Sequence, residues 1–123
     1  MSARDRLEQA LTRIADPAGE GARACLTVYA DTARQAADAS DARAKAGRPF
    51  GPMDGVIVSI KDLFDVKGEV TRAGSQVLAV EGLIATSDAP AIARLKAAGA
   101  IVVGKTNLPE FASKSITDSP LWR

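Results

Sequence analysis

Lysines, serines and carboxylates are the residues in this chain that could carry out chemistry, because it holds no histidine and a single cysteine, Cys25. The lack of histidine excludes Ser-His-Asp and Cys-His catalysis and histidine-containing zinc sites. One cysteine excludes an intrachain disulfide and a two-cysteine metal clip. Sixteen basic and fifteen acidic residues give a net charge of +1, which favours neither nucleic acid nor an anionic membrane as a partner. We therefore expect neither a metal nor a cofactor.

Lys61 stands at the end of an apolar run, residues 56–60, whose β-branched side chains predict a buried strand. By the alternation of side chains along a strand, Lys61 shares a face with Ile57 and Ser59. A lysine in such a place is costly unless its ammonium group reaches water or polar partners. The pattern alone therefore favours a structural lysine over a catalytic one.

A second lysine lies in the Gly-Lys-Thr run of residues 104–106, which follows an apolar stretch as the end of a phosphate-binding loop does. Gly99 completes the spacing of that motif, but residues 100–103 between the glycines are apolar and predict a strand. The run 107–109, Asn-Leu-Pro, would interrupt the helix whose N-terminus must bind the phosphates. We expect no nucleotide binding here and expect Lys105 to be a surface residue at a strand end.

Composition divides the chain near residue 47 into two segments that must position these residues. Segment 1–47 is rich in alanine and predicts two helices, one over residues 4–15 and one over about 21–46. Pro17 ends the first helix, since the residue before a proline avoids the helical region. Cys25 would lie on the apolar stripe of the second helix as a buried, unreactive thiol.

Segment 48–123 predicts strands alternating with turns and helices. The predicted order is a strand over 56–60, a polar loop over 71–75, a helix over 90–98 and a strand over 100–103. A helix between two buried strands is typical of a parallel or mixed sheet. The carboxyl ends of parallel strands share one edge, so we expect loop 71–75 and residues 111–113 to meet there.

Several blocks of this sequence closely resemble the amidase signature family, which are hydrolases of carbon-nitrogen amide bonds. The resemblance rests on residues 51–62, GPMDGVIVSIKD, on residues 71–75, TRAGS, and on residues 103–112, VGKTNLPEFA, with further matches at 88–89 and 94–100. Roughly residues 48–121 are covered, and the occurrence of these blocks in this order is highly specific.

The resemblance implies an α/β fold in which N-terminal helices precede the first strands and helices of a mixed β-sheet. Residues 1–47 would be an N-terminal helical segment, and residues 48–123 an incomplete N-terminal part of the amidase signature domain. The family uses a Ser-cisSer-Lys triad, in which the resemblance assigns Lys61 as the lysine that acts as a neutral base. It also places Ser75 and Ser113 beside the acyl pocket, whereas Phe111 is expected to be a core residue.

The two triad serines of the family belong in a Gly- and Ser-rich segment after residues 117–121, and this chain stops at Arg123. We therefore expect a truncated N-terminal fragment of an amidase, inactive alone, or the same part of an amidotransferase A subunit. The alternative is a non-catalytic fragment that serves as an interaction module.

The expected partners are a small-molecule amide in the complete enzyme and, for this chain, either itself or a complementing chain. No nucleic acid or membrane partner is expected. The charged N-terminus and the lack of a long apolar run predict a cytoplasmic protein.

Overall fold

The computed structural model describes residues 1–116, which form a mixed α/β fold around a three-stranded sheet. Trp122, expected from the sequence to pack against residues absent from this chain, lies outside the described residues. The elements, in chain order, are α1 (Ala3–Ala15), α2 (Gly21–Ala24), β1 (Cys25–Val28), α3 (Ala30–Lys45), β2 (Ile57–Lys61), α4 (Gln76–Glu81), α5 (Pro90–Ala97), β3 (Ile101–Thr106) and a 3-10 turn (Glu110–Ala112).

The sheet has the order β1-β3-β2, with β3 in the centre. Strand β2 pairs with β3 in parallel, so the crossover that contains α5 joins two parallel strands as the sequence predicted. Strand β1 runs antiparallel to β3 on its other side. The central strand is buried from Ile101 to Lys105, because it has a neighbour on each side and helices on both faces.

Strand β1 contradicts the prediction of one helix over residues 21–46. The helix is broken at Cys25–Val28, which pairs with β3 in the register Thr27 to Lys105 and Val28 to Gly104. A methyl group at position 104 would overlap the carbonyl oxygen of Thr27, so glycine at that position lets the two strands approach. Pairing with a distant strand therefore overrides the local helical preference of this alanine-rich segment.

Cys25 is consequently at the start of an edge strand instead of on a helical stripe. It is half-buried, and burial raises the pKa of its thiol. A thiol with a raised pKa forms little thiolate at neutral pH, which agrees with the expectation of an unreactive cysteine.

Two clusters of apolar side chains cover the sheet. The first joins α1 and α3 to β3 through buried Leu7, Ala33 and Ile101. The second joins α5 to both parallel strands through Ile60, Ile92 and Val102, together with Val66. Because β1, β2 and β3 share this sheet, segments 1–47 and 48–116 are packed into one structure.

The N-terminal helices are also held by polar contacts. Ser2 and Asp5 form a capping box at the start of α1, and the Asp41 carboxylate accepts hydrogen bonds from the first amides of the same helix. Arg34 of α3 and Arg4 bind Glu8 and lower the pKa of its carboxyl to about 2. Since the side chains of Glu8, Arg4 and Arg34 are each more than a third exposed, we assign this network little stabilising value.

Strand β3 is longer than the sequence predicted, because its pairing with β2 continues through Gly104, Lys105 and Thr106. The Gly-Lys-Thr run is thus extended backbone inside a strand, whereas a phosphate-binding loop would precede a helix. In the part of the chain that the structure describes, no helix is long and apolar enough to cross a membrane.

Candidate functional site

The carboxyl ends of β2 and β3 meet at one edge of the sheet, where three segments come together. We call this the carboxyl edge and define it as residues 61–62, 71–75 and 107–113. Lys61 is the last residue of β2 and pairs in register with Thr106, the last residue of β3. Lys61 is exposed, although the residues on either side of it, Ile60 and Asp62, are buried.

A chain of backbone hydrogen bonds connects the three segments of the carboxyl edge. The Asp62 amide donates to the Thr106 carbonyl at 3.0 Å, and the Ala73 amide donates to the Asp62 carbonyl at 2.8 Å. The Phe111 amide then donates to the Ala73 carbonyl at 2.8 Å. The residue after Lys61 is therefore tied directly to loop 71–75, and that loop is tied to residues 107–113.

Non-glycine residues with left-handed backbone are concentrated at the same edge. Ala73 has a φ of 50°, and Phe111 and Ala112 have φ of 52° and 56°. Gly74 has a φ of 71°, and a methyl group there would lie 2.9 Å from the Leu108 carbonyl oxygen. Non-glycine residues in this region cost of order 1 to 3 kcal/mol each and are found where surrounding contacts enforce them, often at functional sites.

Ser75 and Ser113 both lie at the carboxyl edge, in different environments. Ser75 is only 3% exposed, and its hydroxyl accepts a 3.4 Å hydrogen bond from the Leu78 amide as the N-cap of α4. Ser113 is exposed, and its hydroxyl donates to the Glu110 carbonyl at 2.9 Å. The topology thus brings Lys61, Ser75 and Ser113 to one edge, but within the described residues these three side chains make no hydrogen bond with one another.

Phe111 corrects one expectation, since it is 58% exposed and is not a core residue among the described residues. The physical reason is local: Phe111 has left-handed backbone within the turn Glu110–Ala112, and its side chain is exposed there.

Lys105 corrects another expectation, because it is wholly buried and not a surface residue. Its ammonium group lies 3.2 Å from Asp62 Oδ1, and the Asp62 side chain is also fully buried. Arg72 binds the other carboxylate oxygen, with Nε 2.7 Å from Asp62 Oδ2. Two cations therefore face one carboxylate, and we call Asp62, Arg72 and Lys105 the buried charge cluster.

Strand β1 extends the buried charge cluster toward the far side of the sheet. Arg72 Nη2 donates to the Thr27 hydroxyl at 3.2 Å. The Tyr29 hydroxyl donates to Glu69 at 2.7 Å, and burial together with this carboxylate raises the Tyr29 pKa well above its usual value. The sequence analysis did not predict the buried charge cluster. Its signal in the sequence is that Asp62 and Lys105 each come shortly after an apolar run, residues 56–60 and 100–103, that predicts a buried strand.

The described residues include no group of three or more His, Cys, Asp and Glu side chains that could hold a metal ion. Among the side chains of the carboxyl edge, the exposed amine of Lys61 is a group that could carry out acid-base chemistry.

A cleft of about 530 Å³ lies elsewhere, beside α3 and α5. Tyr29, Glu69, Asp88 and Lys96 are among the described residues that line it, and Lys61, Ser75 and Ser113 are not. Glu69 is already bound by Tyr29 and Asp88 by Lys96, so the polar groups of the cleft largely satisfy one another.

Comparison with known proteins supports the sequence resemblance over almost the whole chain. The family model described as Amidase matches residues 5–122. The A subunit of the glutamyl-tRNA(Gln) amidotransferase of Anaeromyxobacter dehalogenans strain 2CP-C is 44% identical over 123 residues, which are 100% of this chain and 24% of the relative. The chain thus spans about a quarter of the length of the curated relatives it matches.

Solved structures give the same result. A protein from a vestigial complex, described as revealing the evolutionary origins of an s-triazine catabolic enzyme, aligns with a TM-score of 0.87 and 37% identity. The alignment covers 99% of this chain and 26% of that one. The native peptide amidase of Stenotrophomonas maltophilia aligns with a TM-score of 0.77 and 32% identity, covering 92% of this chain and 23% of that one.

Proposed function

This chain belongs to the amidase family, and from that premise we propose that it supplies the lysine of a site that hydrolyses carbon-nitrogen amide bonds. Lys61 is the proposed general base. The observation that carries the proposal is the position of Lys61, an exposed amine at the end of β2 between two buried residues. Segments bearing Ser75 and Ser113 adjoin the same edge, and we propose that they border the acyl pocket.

In this mechanism the neutral amine of Lys61 accepts a proton from a bridging serine, which accepts one from a nucleophilic serine. The nucleophile attacks the amide carbonyl, and the proton returns to the nitrogen as the carbon-nitrogen bond breaks. Water then hydrolyses the acyl-enzyme and releases the acid. The family resemblance assigns both serines to positions after residue 123, so we propose that residues 1–123 alone do not turn over an amide.

The substrate we propose is a small molecule that carries an amide group. A second candidate function is that of the corresponding part of an amidotransferase A subunit. The 44% identity to the A subunit of a glutamyl-tRNA(Gln) amidotransferase favours it. In that role the amide of a glutamine side chain is the substrate and the released ammonia is transferred. We propose the cytoplasm as the location in either case, with no nucleic acid bound by this segment itself.

The test uses a family-length protein in which residues 1–123 are followed by the remaining residues of the Anaeromyxobacter relative. This protein should hydrolyse simple amides or glutamine. Lys61→Ala should lower kcat by about 10² to 10⁴-fold, the usual contribution of a general base, with little change in thermal stability because Lys61 is exposed.

The matched control is Lys67→Ala, which removes another exposed lysine a few residues away. It should keep kcat within about threefold, since Lys67 lies outside the carboxyl edge and its backbone amide donates to Asp88. Near-normal turnover by the Lys61→Ala protein would make Lys61 a structural residue and refute the proposal.

The alternative to a part of an enzyme is a non-catalytic interaction module, and one exposed apolar surface favours that function. Val77, Val80, Leu83 and Ile84, on α4 and the residues after it, are between 64% and 91% exposed. Contiguous apolar side chains on a soluble protein mark a surface that another chain covers. We propose that this surface binds a complementing chain or a second copy, in which case association depends on Leu83 and its neighbours and not on Lys61.

A further inference from the structure

All the polar groups of Asp62, on the backbone and on the side chain, make hydrogen bonds at the carboxyl edge. Its amide and carbonyl are bonded to Thr106 and Ala73, as described above. Its Oδ1 accepts from the Lys105 ammonium at 3.2 Å and from the Arg72 amide at 3.4 Å, and its Oδ2 accepts from Arg72 Nε at 2.7 Å. One side chain therefore holds β3 and loop 71–75 against the end of β2.

The burial of these charges is costly unless they are paired. Asp62 and Lys105 have fully buried side chains, and Arg72 is 25% exposed. Taking a carboxylate and an ammonium out of water is repaid only when geometry is good and the remaining hydrogen-bonding groups are satisfied. A chain that needed only a stable core would gain as much from apolar side chains, so the cluster is explained better by the geometry it imposes.

We propose that Asp62 is a positioning residue that fixes Lys61 relative to loop 71–75 and residues 107–113. The inference rests on the proposed function of Lys61. Asp62 follows Lys61 directly, so any shift of its carboxylate anchors moves the backbone that carries the lysine. Through Ala73, whose left-handed backbone presents its amide to Asp62 and its carbonyl to Phe111, the same anchors set the distance to the third segment.

Asp54 provides a matched control at the other end of β2. Its side chain is 3% exposed, Arg43 binds both of its carboxylate oxygens, and the Phe50 amide donates to it at 2.9 Å. Asp54 and Asp62 are thus both buried aspartates held by an arginine and a backbone amide. Of the two, Asp62 is the one that lies at the carboxyl edge.

The experiment compares Asp62→Asn with Asp54→Asn in the family-length protein. Both substitutions should lower the melting temperature, because each removes a buried negative charge from its arginine. Per folded molecule, Asp62→Asn should lower kcat by about 10²-fold with KM within about twofold, as a displacement of about 1 Å in a reacting group does. Asp54→Asn should leave kcat within about threefold.

Hydrogen exchange gives a readout that does not depend on turnover. Asp62→Asn should speed exchange of the Ala73 and Phe111 amides at least about tenfold relative to the amides of β3, and Asp54→Asn should not. If Asp62→Asn fails to fold, Lys105→Met removes one anchor and leaves Arg72 in place. That variant should lower kcat in the same direction, by about tenfold.

The outcomes separate the two proposals. Activity that survives Lys61→Ala refutes the function proposed for this site. Two other results refute the positioning role alone, provided that activity needs Lys61. One is an unchanged kcat per folded molecule in Asp62→Asn, and the other is a kcat that falls as much in Asp54→Asn as in Asp62→Asn. Unchanged exchange of the Ala73 and Phe111 amides would also overturn it.

Discussion

Substituting Lys105, which is wholly buried, tests whether this lysine stabilises the protein as a core residue does. Two substitutions separate its charge from its carbon chain. Lys105→Met keeps the length of the side chain and removes the ammonium, whereas Lys105→Ala removes both. Both are made in the 123-residue chain and compared with Lys67→Ala, which changes an exposed lysine.

The expected magnitudes follow from the contacts of Lys105. Removing one partner of a buried ion pair costs about 3 to 5 kcal/mol when the other charge is left unpaired. Asp62 keeps Arg72 Nε at 2.7 Å, so we expect Lys105→Met to cost about 1 to 2 kcal/mol. Lys105→Ala removes about three further buried methylene equivalents at about 0.8 kcal/mol each, for a total of about 3 to 5 kcal/mol.

Urea denaturation followed by circular dichroism measures these differences. With a slope of about 1.5 kcal/mol/M, the midpoints of the Met and Ala variants should differ by roughly 1.5 M. The differences should persist at high salt, because buried charges are screened little. Lys67→Ala should change the free energy of unfolding by less than about 0.5 kcal/mol.

If Lys105→Ala lowers the free energy of unfolding by less than about 1 kcal/mol, this reasoning is refuted. Lys105 would then be a surface residue, as the sequence pattern predicts. A Met variant as unstable as the Ala variant would show instead that the ion pair, and not the packing of the carbon chain, holds Lys105 in place.

Hydrogen bonds from Arg43, and then from the Phe50 amide, hold the pKa of the Asp54 carboxyl below its usual value, although burial opposes this shift. The ionised carboxylate therefore stabilises the folded chain fully at pH values above the unfolded pKa of about 3.9. This contribution is lost as the pH falls through the lower pKa of the folded state. Urea midpoints measured between about pH 5 and 2 should therefore fall less steeply for Asp54→Asn; equal slopes would contradict this. Leu83 is 91% exposed, and Leu83→Glu should reduce self-association of the chain in sedimentation velocity runs, unlike Lys61→Ala. Purely monomeric behaviour at all concentrations would argue against an association surface there.

The sequence alone was sufficient for β2, α5 and residues 101–103 of β3, and for placing them in a parallel or mixed sheet. Each of these elements has a local signal, namely β-branched runs for the strands and a proline at the first turn of α5. The edge at which Lys61, Ser75 and Ser113 lie follows from the parallel pairing, because strands that run the same way end at the same side.

Strand β1 could not be predicted in the same way. Residues 25–28 lie inside an alanine-rich segment whose local preference is helical, and the strand exists because Gly104, far along the chain, leaves room for it. The expectation that Phe111 is a core residue was wrong for a similar reason. Phe111 is exposed in a turn where its backbone is left-handed, and a non-glycine residue gives no sign of that conformation in the sequence.

The order of the amino acids is enough to establish which residue types are available for chemistry, which family the blocks around Lys61 resemble, and where the strand that carries Lys61 ends. The burial of Lys105, its pairing with Asp62, and the link that Ala73 makes between the three segments of the carboxyl edge become visible only in the folded chain. Periodicity and turn chemistry act between residues close in the chain, whereas these contacts join residues far apart in it. The charge of Lys105 can be buried only because Asp62, 43 residues earlier, meets it across two paired strands.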